Sequence, residues 1–139
     1  MKKITPYLVG FGLTSAVLTI AFRYCLSYAI ENRISNLIVA AAVLYFISLF
    51  IAGWYFGKKD NSYLPFLDIG FRFHVVTFFV HNIISELWFL FNFNAPQENI
   101  RVVHLTAAYW AIGLFVHFIF YQLTKRKSIN GLNKDEIFE

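Results

Sequence analysis

The sequence predicts an all-α, polytopic membrane protein, an antiparallel bundle of four transmembrane helices, and three observations lead there. Of its 139 residues 58% are hydrophobic and only 14% charged, whereas about a quarter of the residues in an ordinary soluble chain carry charge. Its mean hydropathy is +0.57. The apolar residues also fall into four long runs, each near the roughly 20 residues that a helix needs to cross a bilayer core. Aromatic residues reach 20%, with 17 Phe among them, which suits lipid-facing helices and leaves little chain for a catalytic domain outside the membrane. The chain 1–139 therefore reads as a single transmembrane domain.

The first span runs from Tyr7 to Ile30. Lys2 and Lys3 precede it, and Ser27-Tyr28-Ala29 resembles a small-x-small cleavage site, but its apolar run is longer than the roughly 7–15 residues of a signal-peptide core. It is expected to stay in the protein. The single Cys25 excludes an intramolecular disulfide and is expected to serve packing. The second span, Leu37 to Phe56, is nearly all apolar, with Tyr45, Ser48 and a small patch at Ala40, Ala41 and Ala42 that permits close helix approach. It reads as scaffold.

The third span, Leu64 to Phe93, carries the most information. On a wheel of about 100° per residue, Ile69, Phe73, Val76, Val80, Ile83, Ile84, Leu87 and Phe91 share a face predicted to touch lipid. The remaining arc holds Asp68, Arg72, His74, Thr77, His81, Asn82, Ser85 and Glu86. Hydrocarbon cannot satisfy such groups, so they must face protein or water. The fourth span, Val102 to Leu123, repeats the pattern more weakly. Its stripe is Thr106, Tyr109, Trp110, Gly113, His117, Phe120 and Thr124, with His104 on the other side. A short tail follows at 124–139. Short polar connections, Glu31 to Asn36, Gly57 to Tyr63 and Asn94 to Arg101, predict antiparallel neighbours.

Loops rich in Lys and Arg are retained in the cytoplasm. Lys2, Lys3, Lys58, Lys59, Lys125, Arg126, Lys127 and Lys134 lie on one side, against Arg33 and Arg101 on the other. The N terminus, the second loop and the C terminus are thus expected to be cytoplasmic, in a membrane of the bacterial inner-membrane type. The pI of about 9.3 reflects these flanks, and no nucleic-acid partner is expected.

Depth along the helices, at about 1.5 Å per residue, groups the intramembrane ionisable residues. Arg23 and Glu86 fall at similar depth, so a salt bridge between the first and third helices is expected, with His104 near enough to join. Asp68 and Arg72 stand i,i+4 on one helix and can pair there. His74 and His117 lie within about 6 Å in depth, and His81 sits near the midplane. Two imidazoles presented at one depth by two helices raise bis-histidine haem ligation, with His74 and His117 as the ligands. A zinc site from His74, His81, His117 and Asp68 lacks any close ligand motif and is not expected. No nucleophile elbow, phosphate loop or Cys/His spacing of soluble enzymes is present.

Two functions of different class remain. The first is a non-enzymatic membrane component, homo-oligomeric or bound to a partner membrane subunit, whose polar third helix lines a channel-like or transporter-like path for protons, ions or a small solute, or forms a subunit contact. The second is a protein that uses the same residues to hold a haem-type cofactor or to act on a lipid-soluble substrate. The width of the polar arc, about 200°, favours the first, because it exceeds what one neighbouring helix covers.

Overall fold

The computed structural model describes residues 4–60 and 66–130, and at 66–69 and 124–130 the helical backbone alone. The described residues form four helices: α1 (Pro6–Glu31), α2 (Ser35–Asp60), α3 (Phe66–Leu90) and α4 (Ile100–Asn130). Each contains a stretch long and apolar enough to cross a membrane. Thr5 opens α1 by accepting a hydrogen bond from the Leu8 N–H at 3.2 Å, with Pro6 in the first turn.

The ends of α1 and α3 are closed by one device. Arg33 and Asn92 adopt left-handed backbone, with φ of 56° and 57°. Each lets two amides fold back onto the last turn: Ile34 N–H onto Ala29 and Arg33 N–H onto Ile30, then Phe93 N–H onto Trp88 and Asn92 N–H onto Phe89. This reversal stops α3 at Leu90, three residues before the expected end at Phe93. The beginning expected at Leu64 lies outside the described residues. At its other end α4 continues as helix to Asn130, beyond the expected boundary at Leu123.

Helix α1 organises the interior. Five of its six buried residues recur every four positions, Phe11, Ser15, Thr19, Arg23 and Ser27, so one continuous stripe faces protein. Val9, Leu13, Val17, Ile20, Tyr24 and Tyr28 point outward. Near one end, the proximal end, Phe11 packs on Phe73 with ring centroids 4.5 Å apart and edge-on to Phe56 at 6.3 Å. Gly10 makes this approach possible, since a Cβ there would lie 2.9 Å from the Phe56 ring. Phe73 was expected to touch lipid. It is instead 6% exposed and, with Val76, part of the core. Hydropathy cannot separate a lipid-facing Phe from one facing another helix, because both surroundings are apolar.

The helices do not surround the interior evenly. Helix α1 packs on α2 and α3, α2 touches α3, and α4 packs on α3 alone. Among the described residues α2 and α4 do not pack against each other, and a cleft separates them.

Candidate functional site

The cleft between α2 and α4 forms an open-sided cavity of about 840 Å³, within the range of small-molecule sites. Its walls are mostly apolar, with Phe46, Phe50 and Trp54 from α2 and Phe11 and Phe73 behind. Its polar residues include Tyr45, Lys58, Thr77, His74, Trp110 and His117.

His74 of α3 and His117 of α4 meet in this cleft, Nδ1 to Nδ1, at 3.1 Å. Trp110, two turns before His117 on α4, donates its indole N–H to His74 Nε2 at 2.7 Å. Indole can only donate, and this fixes every proton of the cluster. His74 Nε2 accepts, so the proton of neutral His74 is on Nδ1 and is donated to His117 Nδ1. His117 Nδ1 then accepts, so its own proton is on Nε2. Both rings are neutral single tautomers assigned by the network. Phe71 holds the His117 ring edge-on, with centroids 5.7 Å apart.

A second chain of hydrogen bonds crosses α1, α2 and α3 near their middles. Thr19 donates to the Ser15 carbonyl at 2.7 Å. Its oxygen is 2.9 Å from the Tyr45 hydroxyl, which is 3.0 Å from His81 Nδ1. Thr19 has given away its only proton, so Tyr45 donates to Thr19, and His81 Nδ1–H donates to Tyr45. Phe22 stacks on Tyr45 at 4.6 Å. His81 and Trp110 rings are 5.4 Å apart, yet no hydrogen bond joins the two chains among the described residues.

The opposite, distal end is closed by charge. Arg23 Nη2 bonds Glu98 Oε2 at 2.6 Å, and the two side chains are 5% and 4% exposed. Glu98 Oε1 accepts the Ala95 N–H at 3.0 Å, while the Glu98 N–H returns to the Ala95 carbonyl. The Arg23 guanidinium also lies 5.4 Å from the Phe89 ring centre. Trp88 donates to Ser27 at 2.9 Å and ties α3 to α1.

The structure thus corrects the pairing expected of Arg23 with Glu86. Glu98, in the connection before α4, takes Arg23, and Glu86 instead meets His104 Nε2 at 2.9 Å on the outside of the α3–α4 pair. An arginine side chain is long enough to rise about one helical turn toward the end of its helix, and the Ala95–Glu98 turn brings the carboxylate to meet it.

The polar arc of α3 is shared among several neighbours. His81 turns to α2 and His74 to α4, and Ser85 is buried. Thr77 and Asn82 satisfy themselves on the Phe73 and Phe78 carbonyls. The α4 stripe divides likewise. Trp110 and His117 face α3, but Tyr109 points outward and Thr106 bonds the Val102 carbonyl. The side chains of Asp68 and Thr124 lie outside the described residues, so the proposed pairing of Asp68 with Arg72 does too. Tyr45, counted as part of a scaffold helix, proves to be the link between α1 and α3.

Among the described residues no three His, Cys, Asp or Glu side chains gather as metal ligands. His74 and His117 do come together, but as a hydrogen-bonded pair. Three of their four ring nitrogens are engaged with each other and with Trp110, and the 3.1 Å between facing nitrogens leaves no slot for a macrocycle between the rings. The chain matches no family model, and neither a characterised protein nor a solved structure is detectably similar to it.

Proposed function

We propose that the chain is an integral membrane protein whose helices cross the bilayer in alternate directions, with the proximal end and both termini cytoplasmic, and whose α2–α4 cleft binds a lipid-soluble molecule. The observation that carries this is the cavity itself: about 840 Å³, walled largely by aromatic side chains, and bordered by two helices that do not pack together. A path for ions or protons needs continuous polar lining, but here the lining is mostly apolar and, among the described residues, no hydrogen bond joins the two chains where His81 and Trp110 approach. The buried Arg23–Glu98 pair also closes the distal end. Of the two functions the sequence leaves open, these features favour the lipid-soluble ligand.

Gly70 gives the test. It lines the cleft, and a Cβ there would meet nothing within 4 Å, so Gly70→Phe should fill the cavity without disturbing packing. A long-chain alkyl diazirine photolysed with the purified protein in lipid nanodiscs should label the α2 segment around Phe50 and Trp54 in the parent. Labelling there should fall severalfold in the variant. Equal labelling of the two proteins would refute a binding cleft.

A further inference from the structure

We infer that the cleft selects a neutral lipid-soluble carbonyl compound, whose oxygen accepts a hydrogen bond from His117 Nε2. This rests on the binding function just proposed and specifies its ligand. Trp110 donates to His74, and His74 donates to His117, so the proton of His117 is confined to Nε2. That N–H has no hydrogen-bond partner among the described residues, and His117 lines the cleft. A donor left unpaired against hydrocarbon is unfavourable. Besides the Lys58 ammonium, which lies 5.6 Å from the Trp54 ring centre, the cleft therefore supplies a fixed donor within mostly apolar walls, which suits an oxygen acceptor on an otherwise apolar molecule.

Depth distinguishes the source of such a carbonyl. His117 lies six residues before Leu123, the end of the apolar part of α4, or about 9 Å in along the helix. The ester carbonyls of bilayer phospholipids lie at the border of the hydrocarbon, outside that level. The structure thus favours a free molecule such as a long-chain ketone or a ring dione over the lipids of the membrane.

The experiment compares 2-heptadecanone, labelled with ¹³C at the carbonyl, with heptadecane on the purified parent protein in nanodiscs made of ether-linked lipid, which contributes no carbonyl. The ketone should bind about tenfold more tightly than the alkane, the factor expected of one directed hydrogen bond. Its labelled infrared band should also move to lower frequency than in empty nanodiscs. His117→Phe should equalise the two affinities and remove the band shift, and His117→Gln, which keeps an N–H donor, should restore part of both. The infrared result on the parent needs no variant. If both probes bind equally and the band does not move, the carbonyl assignment is wrong and the cleft remains a binding site. If neither probe binds, the proposed binding function fails with it. Ester-linked lipid competing as well as the ketone would place the selected carbonyl in the membrane lipids and overturn the assignment to a free molecule.

Discussion

The two ends of the molecule use polar residues in opposite ways. At the distal end Arg23, Glu98, Ser27 and Trp88 point inward and bond to one another across α1, α3 and the turn before α4, so helix ends that could separate are held together. At the proximal end His74, His117 and Trp110 bond only across α3 and α4, and α2, which packs on α1 through Phe56, stands apart from α4. Inside a membrane apolar contacts hold helices together weakly, because lipid tails are as apolar as Leu. Polar bonds then decide which helices close and which stay open. The His104–Glu86 pair bears on the same point from outside: the two side chains are 59% and 49% exposed, respectively, and the pair lies about four residues from the helix ends, about 6 Å in.

Breaking the distal closure should have the largest effect. Glu98→Ala strands a buried guanidinium, and Arg23→Ala strands a carboxylate, so each should cost about 3–5 kcal/mol, read as a lower melting temperature in detergent. An apolar double variant, Arg23→Met with Glu98→Leu, should recover most of that loss. If the double variant is as unstable as the two singles combined, the residues are not coupled.

A smaller effect is expected at the midplane. Tyr45→Phe leaves Thr19 without a donor and the His81 N–H without an acceptor, which should cost about 1–2 kcal/mol, measured as free energy of unfolding in mixed micelles. A loss equal to that of Glu98→Ala would move the principal clamp from the distal end to the centre. Smallest should be Glu86→Gln. Exposed pairs contribute less than about 1 kcal/mol, so its unfolding curve should nearly overlay that of the parent. A large loss there would show that burial does not separate the two ion pairs.

The four long apolar helices were legible because hydropathy reports on length, and the meeting of His74 with His117 was legible because two polar groups at one depth on adjoining helices have few other partners. Three features were hidden for physical reasons. Glu98 stands in a connection beside Pro96, Gln97 and Asn99, and depth arithmetic confined to the spans passes over a loop residue that reaches an Arg below it. Phe73 looks the same to a wheel whether its neighbour is lipid or Phe11. The end of α3 is set by the left-handed backbone of Asn92, although the residues around it, Phe91 and Phe93, are as apolar as the helix. One further signal was available in α1: Ser15, Thr19, Arg23 and Ser27 recur every four residues, and small or polar groups in such a row mark a face turned to protein.

The indole of Trp110 has a consequence for chemical reactivity. With Nε2 of His74 accepting from Trp110, and Nδ1 of His117 accepting from His74, each imidazole lone pair is already committed to a proton. A general base needs a free lone pair within reach of the proton it removes, and in this arrangement neither ring has one. The pair can polarise an oxygen by lending it a proton in a hydrogen bond, yet it cannot abstract a proton from whatever enters the cleft until the Trp110 bond is broken. One tryptophan thus makes two adjoining histidines, commonly the basic groups of a protein at neutral pH, act toward the cleft solely as a weak acid.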